Sequence, residues 1–234
     1  MTLAMYEEPE FIVPHPPISL AVFLVLEEAL CAAWEILRLH PPPGFDLASA
    51  IERQLNHQLQ EVLKDRIWKR DVVPGFDGEL VRTITRPAVR NYNGKHIDKQ
   101  PDIMVELVDI PERVRETQYG IFIECKPVDA QHSLVTHYCD EGILRFIRGD
   151  YAWAMTQAMM IGYAGSAGLP AERLAVALRT RRDNVFPTGE PTTCVRSQAP
   201  TPVAISEHRR DFTYVENGKA APPIILRHLW LRRN

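Results

Sequence analysis

The stretch from Tyr119 to Val128 constrains this chain more than any other, because it reads as a strand that carries an acid and a base among apolar residues. Alternation sets Glu124 and Lys126 on one face of that strand, while Ile121, Ile123 and Cys125 point to the other. One carboxylate and one ammonium therefore project together. Two strands precede it. Glu79 to Tyr92 carries Leu80, Val81, Ile84 and Val89 despite Pro87, and Asp102 to Asp109 puts Ile103, Val105 and Leu107 on one face and Asp102, Met104 and Glu106 on the other. Asn93-Gly94 supplies a tight turn, so the three strands form a meander. If the last two pair as a hairpin, Asp102 approaches Glu124.

Helices surround this meander. Pro14, Pro16 and Pro17 precede an apolar helix over Ile18–Leu39, which contains Glu27 and Glu28 and is stopped by Pro41, Pro42 and Pro43. Asp46 is a candidate N-cap for a second helix to about Arg66, with Ile51, Leu55, Leu59, Val62 and Leu63 on its apolar face and Glu52, His57 and Glu61 on its polar one. The periodicity of Ile143, Phe146, Ile147, Ala154, Ala158 and Ile161 predicts a long helix over Asp140–Tyr163, closed by Gly165 and Gly168, and Pro170 opens another to about Arg182. A Pro-, Thr- and Ser-rich loop spans Asn184–Pro202. Val203–Ser206, Phe212–Glu216 and Ile224–Leu231 read as strands, with Asn217-Gly218 turning the last pair. The order is mixed α/β around a central sheet, and 234 residues suit one domain.

Two carboxylates at a strand end suit Mg²⁺, a hard ion that takes oxygen ligands and keeps several waters. Such an ion polarises a phosphoryl oxygen and acidifies a bound water. Lys126 could orient that water and offset charge in the transition state, and burial could lower its pKa far enough for proton transfer.

Pro101 and Asp102, a spacer, and then Glu124, Cys125 and Lys126 resemble the two halves of the motif of the PD-(D/E)xK nucleases, the superfamily of many restriction endonucleases. The resemblance covers about Asp46 to Tyr163. It implies a restriction-endonuclease-like mixed sheet flanked by helices, with Asp102 and Glu124 as metal ligands, Lys126 as the water-positioning residue, and Glu52, on the preceding helix, as a further catalytic and metal-binding acid. Gln157 is similar to a polar residue that family members carry on a later helix. The implied activity is Mg²⁺-dependent hydrolysis of DNA phosphodiesters, with Mn²⁺ able to substitute, in restriction or defence against foreign DNA. A homodimer or a partner subunit is compatible with cutting both strands. The alternative is a catalytically inactive nucleic-acid or protein interaction module on the same fold.

A net charge of −3 gives no overall basic footprint, so phosphate contact would have to come from local groups. Lys64, Arg66, Lys69, Arg70, Arg145 and Arg148 are candidates, although a charge run is more often a solvated face. Cys31, Cys125, Cys139 and Cys194 lack metal-ligand spacing. The acidic start, Met1–Glu10, has no basic export signature, and the apolar run Ile18–Leu26 is too short to span a bilayer, so the cytoplasm is expected and no membrane. Ala164–Gly168 lacks the first glycine of a nucleophile elbow, and no phosphate-binding glycine loop is present. His208 and His228, each beside an arginine, have no metal-site spacing and read as structural or surface residues.

Overall fold

A computed structural model describes residues 11–165 and 170–233. The expectations that fall on Met1–Glu10, Ser166 and Gly168 lie outside the described residues. Helix α1 (Leu20–Leu39) and helix α2 (Glu52–Val62) lead into a meander of β1 (Val81–Thr85), β2 (Ile103–Leu107) and β3 (Ile121–Val128). Helix α3 follows, π-helical over Leu134–Ile143 and α-helical over Leu144–Ile147. Then come β4 (Gln157–Ala164), α4 (Pro170–Thr180), α5 (Arg182–Val185), β5 (Thr192–Thr193), β6 (Ala204–His208) and β7 (Ile224–Arg232). The strands form one mixed sheet in the order β1-β2-β3-β4-β7-β6-β5. Both meander pairs are antiparallel, as expected, whereas β3–β4 and β4–β7 are parallel. Among the described residues no helix is long and apolar enough to cross a membrane.

Three sequence expectations are corrected. The long helix over Asp140–Tyr163 does not form: helix ends at Ile147, and Gln157–Ala164 is a central strand buried on both faces. Its run of apolar residues fits either period, and pairing with β3 and β7 decides for the strand. Helix α2 starts at Glu52, not after Asp46, whose carboxylate instead accepts from the Ala48 N–H and the Ser49 hydroxyl in a preceding turn. Phe212–Glu216 is not a strand and contributes only the isolated bridge Thr213–Ala220.

Close packing depends on Gly162 in β4, where an added Cβ would overlap the Trp230 ring of β7. Trp230 is itself stacked on Tyr138 of α3, so it has nowhere to move. Gly162→Ala is therefore expected to cost roughly 2–3 kcal/mol, measured as a lower urea midpoint.

Behind the sheet a buried polar chain runs from Tyr138 through His228 and Ser206 to His208. The Val185 carbonyl can only accept, so His208 Nδ1 donates to it and His208 Nε2 accepts from the Ser206 hydroxyl. Ser206 Oγ must then accept from His228 Nε2, which leaves His228 Nδ1 to accept from Tyr138. Every hydrogen is assigned, and both rings are neutral. These histidines are structural, in agreement with the sequence reading.

Candidate active site

The site lies where the meander meets the start of α2. Register pairing of Ile103 with Ile123 sets Asp102, immediately before β2, beside Glu124, and Asp102 Oδ2 accepts the Cys125 N–H at 2.9 Å. Lys126, two residues further along β3, puts Nζ 3.0 Å from Glu124 Oε1 and 2.8 Å from Glu52 Oε1. Asp102, Glu124 and Lys126 are all buried, and the Glu52 side chain is one-third exposed. The structure therefore brings all four residues singled out from the sequence into one cluster. Glu52 joins it through Lys126, not through the other carboxylates.

Several contacts position Glu52. The Gln54 amide oxygen accepts the Ile51 N–H and opens the helix. Arg233, just past β7, donates to the carbonyls of Leu47, Ala48 and Ala50 and pins the chain that enters α2. One turn after Glu52, Asn56 Oδ1 accepts from the Tyr163 hydroxyl of β4 at 2.8 Å. Lys126 is approached by α3 at Gly142, where an added Cβ would lie 3.3 Å from Lys126 Cγ and would displace the Met160 methyl, 2.7 Å away.

Three further groups touch the acids. The Tyr151 hydroxyl donates to Glu124 Oε2. Arg145 of α3 brings Nε to 3.2 Å from Glu124 Oε1, and Arg86, after β1, brings a terminal nitrogen to 3.5 Å from Asp102 Oδ1. Arg145 is among the bases the sequence singles out; Tyr151 and Arg86 are not, because the sequence places them in a helix and a strand that do not form there, and both lie in irregular segments of the structure. Gln157 is not at the site. Its side chain accepts the Ile18 N–H at 2.8 Å at the start of β4. The other candidate bases divide: Lys69 pairs with Asp65 on an exposed turn, and Arg148 is exposed on the loop after α3.

Burial, and after it the neighbouring Asp102 carboxylate, push the Glu124 carboxyl up to about 8 against the opposing pull of Lys126, Tyr151 and Arg145. Burial disfavours the charged form of Lys126 too, but Glu124 and Glu52 outweigh it and hold the ammonium above its ordinary pKa. With no metal bound, the shift of Lys126 therefore runs opposite to the one expected from burial, because the neighbouring acids outweigh it. In that state Lys126 supplies a cation and three donors.

No family model, curated protein or solved structure matches the chain.

Two open cavities border the cluster. One of about 690 Å³ is lined by Glu52, Pro127, Asp129, His132 and Arg233, and one of about 560 Å³ by Gln54, Asn56, His57, Arg86 and Asp102. Among the described residues no three His, Cys, Asp or Glu side chains converge on one point as a ready metal cage. Mg²⁺ does not require such a cage, since it commonly uses one or two carboxylates and fills its octahedron with water and substrate oxygens. A buried carboxylate pair in which Asp102 raises the proton affinity of Glu124 fits a hard divalent ion by its donor chemistry.

Proposed function

We propose that the protein is a metal-dependent phosphodiesterase that hydrolyses DNA. The observation that carries this reading is the convergence of Asp102, Glu124, Lys126 and Glu52, from three separate segments, into a buried charged cluster bordered by open cavities. Burying such charges opposes folding, so a cluster of this kind is better explained by chemistry than by stability.

Asp102 and Glu124 would hold the ion, Mg²⁺ or Mn²⁺. When bound, it supplies Lewis-acid polarisation of a phosphoryl oxygen and a more acidic water. Lys126, protonated and held between Glu124 and Glu52, orients the attacking water by donating to it and offsets the charge that accumulates on the phosphoryl oxygens. Glu52 holds the Lys126 ammonium in place from its exposed side. Tyr151 fixes the rotamer of Glu124. A homodimer would present two such sites to a duplex, and a role in defence against foreign DNA is consistent with this chemistry.

The test is cleavage of supercoiled and linear DNA by the purified chain with Mg²⁺, Mn²⁺ or EDTA, beside a folded Asp102→Ala variant. Metal-dependent cleavage that this variant lacks supports the reading; a silent wild type, or equal activity in both, removes it and leaves an interaction module on the same fold.

The same carboxylates make a second expectation. A proton and a metal ion compete for Glu124, whose carboxyl is held near 8. Mn²⁺ affinity, followed by electron paramagnetic resonance of the free ion, should therefore fall by about tenfold per pH unit as pH drops from 8 towards 6. A flat profile would show that Glu124 is not a ligand.

A further inference from the structure

The acidic cluster is balanced by basic groups of two different kinds. Lys126 is buried between Glu124 and Glu52, whereas Arg86 and Arg145 have side chains that are 42% and 40% exposed. Their contacts with the acids are loose. Arg145 gives its Nε hydrogen to the Glu141 carbonyl at 2.8 Å, so its approach to Glu124 is one of charge only. Arg86 stands 3.5 Å from Asp102, and among the described residues neither guanidinium donates a hydrogen bond to a carboxylate. An arginine whose function was to pair permanently with a buried carboxylate would be expected to engage it through its planar fork. These two leave their forks free at the edge of the site, and Arg86 also lines the 560 Å³ cavity beside Asp102.

Charge balance suggests what the forks are for. Glu52, Asp102 and Glu124 stand against Lys126, Arg86 and Arg145, so the acids offset most of the basic charge that would otherwise attract a phosphate. A divalent ion on Asp102 and Glu124 adds positive charge there and removes the attraction that holds both arginines.

We propose that Arg86 and Arg145 are phosphate-binding residues, parked on Asp102 and Glu124 in the free protein and released to the substrate's phosphodiester backbone when a divalent cation takes those carboxylates. This rests on the phosphodiesterase reading and adds two substrate ligands, together with an order of events in which the cation favours substrate binding. The arginines thereby compete with the metal and cooperate with the nucleic acid, and these roles predict effects of opposite sign.

The experiment measures two affinities of the full chain without requiring turnover. Mn²⁺ binding is followed by paramagnetic resonance in the absence of DNA, and binding of a fluorescent DNA duplex by polarisation in Ca²⁺. The variants are Arg86→Gln, Arg145→Gln and the pair, each checked by thermal melting. The expected result for the pair is Mn²⁺ bound several-fold tighter and duplex bound about tenfold weaker. Weakening of both affinities in a folded variant would indicate a merely structural role and overturn the proposal, as would no change in either one. If the wild type cleaves DNA and Asp102→Ala does not, while the arginine variants leave both affinities unchanged, the inference fails and the phosphodiesterase reading stands. If the wild type binds neither Mn²⁺ nor duplex, both fall together.

Discussion

Lys126→Ala is expected to lower metal-dependent DNA cleavage by at least about 100-fold while leaving the chain folded. Among the described residues the ammonium is the only group that touches both Glu52 and Glu124, and it is held charged by them, so no described neighbour can take over its position. Removing it leaves Glu124 buried with Asp102 beside it, and the carboxyl, already raised to about 8, responds by retaining a proton instead of unfolding the sheet. The structural cost is correspondingly modest, on the order of 1–3 kcal/mol, whereas the chemical loss is large. Lys126→Arg separates charge from geometry: it keeps a cation, but a planar fork does not fit between two carboxylates that lie 2.8 and 3.0 Å from a single nitrogen. Initial rates on plasmid DNA, measured beside melting curves, check both variants. Cleavage within a few-fold of wild type in a folded Lys126→Ala protein would remove Lys126 from the chemistry.

The second large effect is loss of stability in mild acid. Burial pushes the imidazole of His208 down to about 4 and that of His228 down to about 3, the latter helped by His208 itself. Both stay neutral in the folded chain, whereas in the unfolded chain they take up protons near 6.5. Because the unfolded state then binds more protons, stability is fully present above pH 6.5 and is lost as pH falls towards 4 and then 3, by roughly 1 kcal/mol per histidine per pH unit. Glu124 acts in the opposite sense. Its raised folded pKa, about 8 against 4.5, makes the folded state the stronger proton binder between those values, and so offsets one histidine over that range. Urea unfolding should therefore show a loss of roughly 2 kcal/mol between pH 6.5 and 4.5, and about twice that in a Glu124→Gln variant. A single added proton also reverses the whole hydrogen-bond chain and leaves the Tyr138 hydroxyl without its acceptor, which sharpens the transition. Equal stability at pH 7 and pH 4.5 would show that these rings are not buried neutral.

Much of the site was legible in the order of residues. Alternation along β3 is a property of extended backbone, so Glu124 and Lys126 had to share a face wherever the strand was placed. The antiparallel meander followed from the order of three consecutive strands and the turn residues between them, and it carried Asp102 to Glu124. Glu52 was identifiable only by resemblance, since nothing local distinguishes it from the other polar residues of α2, and the register of that helix over the sheet is set by the contact of Asn56 with Tyr163 and by Arg233, partners distant in the chain. The segment Gln157–Ala164 was misread because a run of apolar residues satisfies a helix and a doubly covered strand equally well. The parallel partners on either side, contributed by residues about 35 and 70 positions away, settle that choice, and no local pattern encodes them.

What the sequence determined by itself was therefore the chemistry available on one strand face, because side-chain direction in a strand is fixed by covalent geometry. What only the tertiary structure decided was the electrostatic state of that chemistry. Whether Lys126 is a base or a fixed cation, and whether Glu124 carries a proton near neutral pH, depends on how far each group is removed from water and which charges stand within a few ångströms, and those distances arise only when α2, β2, β3 and α3 pack together.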